Sequence, residues 1–193
     1  MVSMLASSLL ALGAAGLAIS YDNDSKQDKT GHNEYWSNGW IEPGEDVEPV
    51  SNATYREECG ACHLAYQPGL LPGDAWQRIM ETSALLDHYG DDASLPQGLQ
   101  DELLGYLTAN AADKAVKTRS RAFSLGTTTV DALPRITKTR YFRNEHHEIP
   151  AHQVSANAQV GSFSQCNTCH TGADTGVYNG HRVRIPGYGR WDD

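Results

Sequence analysis

All four cysteines of this 193-residue chain fall in two copies of one pattern, Cys59-Gly60-Ala61-Cys62-His63 and Cys166-Asn167-Thr168-Cys169-His170. Two thiols three positions apart lie within one helical turn. They can reach two vinyl groups of a single porphyrin, and the imidazole that follows meets the iron from the same side. Cys-x-x-Cys-His is accordingly the attachment signature of a c-type haem. Each cysteine is read as a thioether, and His63 and His170 as proximal ligands. Two other chemistries use the same residue types. A zinc site needs both Cys-x-x-Cys pairs brought together, usually from about 15–20 residues apart, whereas 103 residues separate them here. A disulfide framework suits an exported chain, but it leaves the histidine after each pair unexplained.

A six-coordinate haem needs a second axial ligand, and the remaining histidines are His32, His88, His146, His147, His152 and His181. Outside the apolar leader the only methionine is Met80. Two methionine-ligated haems would therefore need Met1 or Met4, so bis-histidine ligation is expected for at least one site. For the first haem, His88 follows His63 by 25 residues and is expected in the last turn of a helix that Gly90 ends. Met80 is its rival, and a solvent-facing histidine favoured by the helix C-terminus is the plain alternative. For the second haem, His146 and His147 lie about 100° apart on a helix and cannot both face one iron. Phe142, His146 and Ile149 form an i, i+4, i+7 face, whereas His147 shares its side with Arg143. The apolar face favours His146, with His147, His152 and His181 as rivals.

The elements that must position these residues are short helices. Ser51 is expected to cap a helix toward Cys59, with Asn52 or Thr54 as rival caps. After a Pro/Gly loop, Asp74 is expected to cap a second helix with Trp76, Ile79, Met80 and Ala84 on one face. A third spans about 97–112, with Leu99, Leu103, Tyr106 and Leu107 at helical spacing. The stretch 139–149 reads as a helix stopped by Pro150. A loop of about 15 residues then leads to Cys166, and the Gly- and Arg-rich end shows no period. The expected fold class is mainly α, divided into a first haem domain at 51–113 and a less regular second haem domain at 114–193.

Residues 3–20 carry no charge and have about one membrane-spanning length. A signal peptide fits the small residues Ala18 and Ser20 before Tyr21, whereas the absence of Lys or Arg ahead of the run fits a retained anchor. Both readings of segment 1–20 place the remainder outside the cytoplasm. Residues 21–50 read as an acidic tether, unusual in holding Trp36, Trp40 and Ile41. The net charge of −9 argues against nucleic acid. It is unevenly spread: residues 1–113 sum to −14 and residues 114–193 to +5.

The stretches VSNATYREECGACHLAYQPGLLPGDAWQRIM, LLDHYGDDASL, YLTANAA, RITKTRYFRNEHHEIP and SQCNTCHTGA resemble, in order and spacing, the bacterial dihaem cytochrome c family of periplasmic electron carriers. The resemblance spans residues 50–173. It implies a first domain like a small class I cytochrome c, a less regular second haem domain, and a distal histidine at His88. It also implies electron exchange with membrane cytochromes b or soluble haem proteins. No catalytic residue is expected. The other classes weighed are a haem enzyme or gas-binding protein with one open axial position, and a haem subunit of a membrane or polymeric assembly.

Overall fold

Asn52 starts the first helix: its side chain accepts the Tyr55 N–H at 2.8 Å and satisfies one of the free amides of helix α1, Ala53–Cys59. Ser51, the expected cap, instead donates its N–H to the Tyr106 hydroxyl at 3.1 Å. In this computed structural model residues 46–125 and 133–191 are described. The leader 1–20, His32, and the tether up to residue 45 with its Trp36, Trp40 and Ile41 lie outside the described residues. Gly60 closes α1, and a Cβ there would lie 2.2 Å from the Arg56 carbonyl oxygen. Only glycine lets the first Cys-x-x-Cys leave the helix this tightly.

A 3-10 turn, Pro68–Leu70, leads to α2, Gly73–Ile79, which follows Pro72; Asp74 lies inside its first turn and does not cap it. The single helix expected from Asp74 to Gly90 is two. The chain extends at Glu81 and resumes as α3, Thr82–Leu86. Thr82 and Ser83 favour helix starts over helix interiors, and the break is made good by Gln100, whose Nε2 donates to the freed Met80 carbonyl at 2.7 Å. Trp76, Ile79 and Met80 are buried together, while Ala84 falls on the separate α3. His88 is thus not in a helical turn. It lies beyond α3 in a tight turn in which His88 N donates to Asp91 O at 2.7 Å and Tyr89 and Gly90 have φ of +61° and +112°.

Helix α4, Gln97–Ala109, packs on α2 and buries Leu103 and Leu107. It ends before the expected residue 112 because Ala112 donates its N–H to Leu71 O at 2.9 Å. Helix α5 is Thr118–Phe123. Helix α6, Arg140–His146, is capped by Thr139, whose hydroxyl accepts from Phe142 N at 3.2 Å. The stretch toward Cys166 contains the 3-10 turn Ala151–Gln153, and α7, Cys166–Cys169, is a single turn. Where no period was expected, Arg184–Ile185 (β1) pairs antiparallel with Gly189–Arg190 (β2). Gly187 and Gly189 adopt positive φ there, and two-residue strands are too short to leave an alternating signal.

Two apolar clusters result. The first holds Val50, Tyr55, Leu71, Trp76, Ile79, Met80, Leu103 and Leu107. The second holds Phe123, Tyr141, Phe142, Ala173 and Tyr178, and it also draws Val47, Leu70 and Ala112 from the first half. The described residues all fall in one compact unit. At its edge Val47 N donates to Gly176 O at 3.1 Å, and buried Asp46 accepts from Tyr178 N and pairs with Arg119 at 3.3 Å. Among the described residues no helix is long and apolar enough to cross a membrane.

Candidate metal and cofactor sites

Helix α1 ends on Cys59, so Cys62 and His63 follow within the next turn. The His63 Nδ1–H donates to Leu64 O at 2.7 Å. With the proton on Nδ1, the Nε2 lone pair is left for a metal. The ring of His88 faces it, with centres 6.4 Å apart and planes 21° apart. His88 is held by its neighbour: Tyr89 donates its hydroxyl to Pro134 O, and the Arg135 guanidinium lies 4.0 Å from the Tyr89 ring centre. Those contacts support a left-handed backbone that a tyrosine rarely adopts.

The second site repeats this arrangement with different parts. Helix α7 carries Cys166 and Cys169 and ends at His170. Helix α6 supplies His146, whose Nδ1–H donates to Phe142 O at 2.9 Å and whose ring stacks on Phe142 at 3.9 Å. The His146 and His170 ring centres are 6.0 Å apart, with planes 68° apart. A cavity of about 120 Å³ is lined by Phe142, His146, Phe163, Cys166, Cys169 and His170, among others.

Two metal–imidazole bonds of about 2 Å put the centres of axial rings on one metal roughly 6 Å apart. Both pairs have that spacing. Burial, reinforced by the charges of His146 and Arg119, lowers the His170 pKa to about 4. Burial, then His63 and Arg135, lowers that of His88. Both rings are thereby held neutral, the form that ligates metal. Burial pushes Cys59 and Cys166 up to about 11 and raises Cys169, so these thiols are not poised as thiolates. None of the four cysteines is paired with another in a disulfide, and no group of three or more His, Cys, Asp or Glu is placed to hold a metal ion among the described residues. The zinc and disulfide readings thus find no support here, whereas a group bringing its own equatorial ligands needs only two histidines per metal.

The rival ligands lie elsewhere. Met80 is 3% exposed within the first apolar cluster. The His147 side chain is 62% exposed and sits 3.8 Å from Glu148. His152 packs against Tyr188, and His181 is exposed. Four residues that the sequence did not single out surround the sites: Tyr66 stacks on His63 at 4.8 Å, Gln67 is wholly buried, Tyr178 meets His170 edge-on at 5.4 Å, and Arg119 lines the second cavity. The one available signal was position, since Tyr66, Gln67 and Tyr178 each follow a Cys-x-x-Cys-His within eight residues.

Residues 55–178 match the model of a family described as dihaem cytochrome c. Among solved structures, a dihaem cytochrome c from Shewanella baltica OS155 is 38% identical with a TM-score of 0.60, over 74% of this chain and 99% of that one. A dihaem cytochrome c from Rhodobacter sphaeroides is 34% identical with a TM-score of 0.57, over 68% of this chain and 100% of that one. No curated protein matches the chain.

Proposed function

The chain belongs to the dihaem cytochrome c family and carries two covalently bound c-type haems, and from that premise we propose that it is an exported single-electron carrier with two bis-histidine sites and no substrate pocket of its own. Cys59 and Cys62 hold the first haem, with His63 proximal and His88 distal. Cys166 and Cys169 hold the second, with His170 proximal and His146 distal. When bound, each haem supplies one-electron iron chemistry. The residues hold both axial positions closed, so that ligand exchange does not compete with electron transfer.

The observation that carries this reading is the facing of two imidazole pairs at 6.4 and 6.0 Å. Tyr89, through Pro134 and Arg135, and Phe142, through stacking and its carbonyl, hold the distal rings in place. Partial burial of the pairs limits the solvent that must reorganise when charge arrives. The partners in this reading are a membrane cytochrome b or a soluble haem protein. The site of action is the periplasm or another exported compartment, reached with segment 1–20 either removed or kept as an anchor.

The test is the optical spectrum of the purified holoprotein with and without carbon monoxide. Two low-spin haems indifferent to the gas are expected, and His88→Ala and His146→Ala each convert one haem to a high-spin, gas-binding form. His147→Ala leaves both low-spin. A wild-type haem that binds carbon monoxide favours a ligand-binding protein or enzyme with an open axial position. A high-spin His147→Ala beside a low-spin His146→Ala reverses the assignment of the pair.

A further inference from the structure

The two proximal histidines are oriented by different means. His63 is fixed through its own Nδ1 to Leu64 O. His170 Nδ1 is buried and has no hydrogen-bond partner among the described residues. Its ring is instead bordered by His146 and by the edge of Tyr178, whose plane is inclined 62° to it. What holds Tyr178 therefore decides how freely the His170 ring can turn.

Tyr178 is held by a residue from the first attachment loop. Its hydroxyl donates to Gln67 Oε1 at 2.6 Å, and Gln67 Nε2 donates to Ala173 O at 2.5 Å. Ala173 in turn donates its N–H to the His170 carbonyl at 2.9 Å. Gln67 is 0% exposed, and its amide thus grips both the ring beside His170 and the backbone that follows it. The adjacent Tyr66 stacks on His63 and donates its hydroxyl to Ser164 O at 2.7 Å, two residues before Cys166. A buried amide satisfied at both ends is costly to replace, since each partner left without its bond stays buried and unsatisfied. Shape alone would have been met by leucine.

We propose that Gln67, supplied by the first haem's attachment loop, is a positioning residue for the second haem: through Tyr178 and Ala173 it sets the ring plane of His170. The inference rests on His170 and His146 being the axial pair of that haem. An imidazole that rotates about its metal bond changes its overlap with the iron d orbitals, so the ring-plane angle is read directly in the low-spin paramagnetic spectrum and contributes to the reduction potential.

The experiment compares oxidised holoproteins by electron paramagnetic resonance and spectroelectrochemical titration. Gln67→Leu is expected to shift the g-values and midpoint potential of the second haem while leaving those of the first in place, although residue 67 lies four positions from His63. Tyr178→Phe, which deletes one hydroxyl, is expected to shift the same signal in the same direction, and the double variant to shift it no further than the larger single change. His146→Ala identifies which signal is the second haem's. If it leaves both haems low-spin, the axial assignment fails whatever Gln67 does. With that assignment intact, the proposal is overturned by unchanged second-haem spectra and potential in both single variants, even at reduced stability, or by a shift confined to the first haem. If Gln67→Leu does not assemble, the Tyr178→Phe result alone decides.

Discussion

Met80 and His88 both have the chemistry to close the first haem, and the surroundings of each side chain separate them. The thioether is packed among Trp76, Ile79, Leu85 and Leu103 in the first apolar cluster, whereas the imidazole faces His63 at 6.4 Å. Met80→Leu is therefore expected to keep the first haem low-spin and to cost less than about 1.5 kcal/mol, as volume-conserving core exchanges do. Met80→Ala is expected to cost about 2–5 kcal/mol with the same spectrum. Optical spectra and denaturant titration of the holoproteins check both, and a lost low-spin signal in Met80→Leu would make the methionine a ligand. At this scale the sequence was informative wherever chemistry demanded a fixed spacing. The Cys-x-x-Cys-His groups were legible for that reason, and the apolar face that favours His146 in the sequence is the one the structure turns toward His170, with His147 left exposed. Gln67 and Tyr178 were not legible, because their roles come from contacts more than 100 positions apart.

Elements were legible where a helix has an amphipathic face and lost where a single polar contact decides a boundary. Helix α4 follows its leucine spacing, yet the break between α2 and α3 depends on Gln100 reaching the Met80 carbonyl. The hairpin of β1 and β2 is invisible to periodicity, being two residues on each side. Glycines show the same dependence on tertiary context. Gly161 and Gly176 have nearly equal φ, +77° and +78°, but a Cβ on Gly161 meets nothing within 4 Å and one on Gly176 lies 2.3 Å from Val47 O. Gly161→Ala is expected to cost only the roughly 1–2 kcal/mol of a side chain in left-handed backbone. Gly176→Ala is expected to cost more, because it also pushes away the segment that carries Asp46 and Val47. Equilibrium unfolding of the two holoproteins measures the difference, and equal losses would mean that the contact with Val47 carries no strain.

Over the whole molecule, charge divides as the sequence does. Residues 51–113 sum to −8 with every carboxylate exposed, and residues 114–193 sum to +5, with Arg140 and Arg143 exposed on α6 beside His146. Such a division steers encounters more than it strengthens complexes. Electron exchange with a cationic and with an anionic redox protein is expected to slow for both as ionic strength rises and the Debye length falls below about 10 Å. Reversing Arg140 and Arg143 is expected to slow the anionic partner alone. Rates indifferent to salt would leave these charges as ordinary solvated surface. The clasp at residues 46–47 concerns time instead. Asp46 is bonded to Tyr178, 132 positions later, and Gln67 to residues more than 100 positions on. A chain is made from its N-terminus, so these polar groups are without their partners until residues 173–178 arrive. Contacts of such separation form slowly. A chain cut short after the second Cys-x-x-Cys-His would still hold both attachment motifs but would lack Ala173 and Tyr178, the partners of Gln67 and Asp46. The earliest described residues to be synthesised are thus among the last to settle.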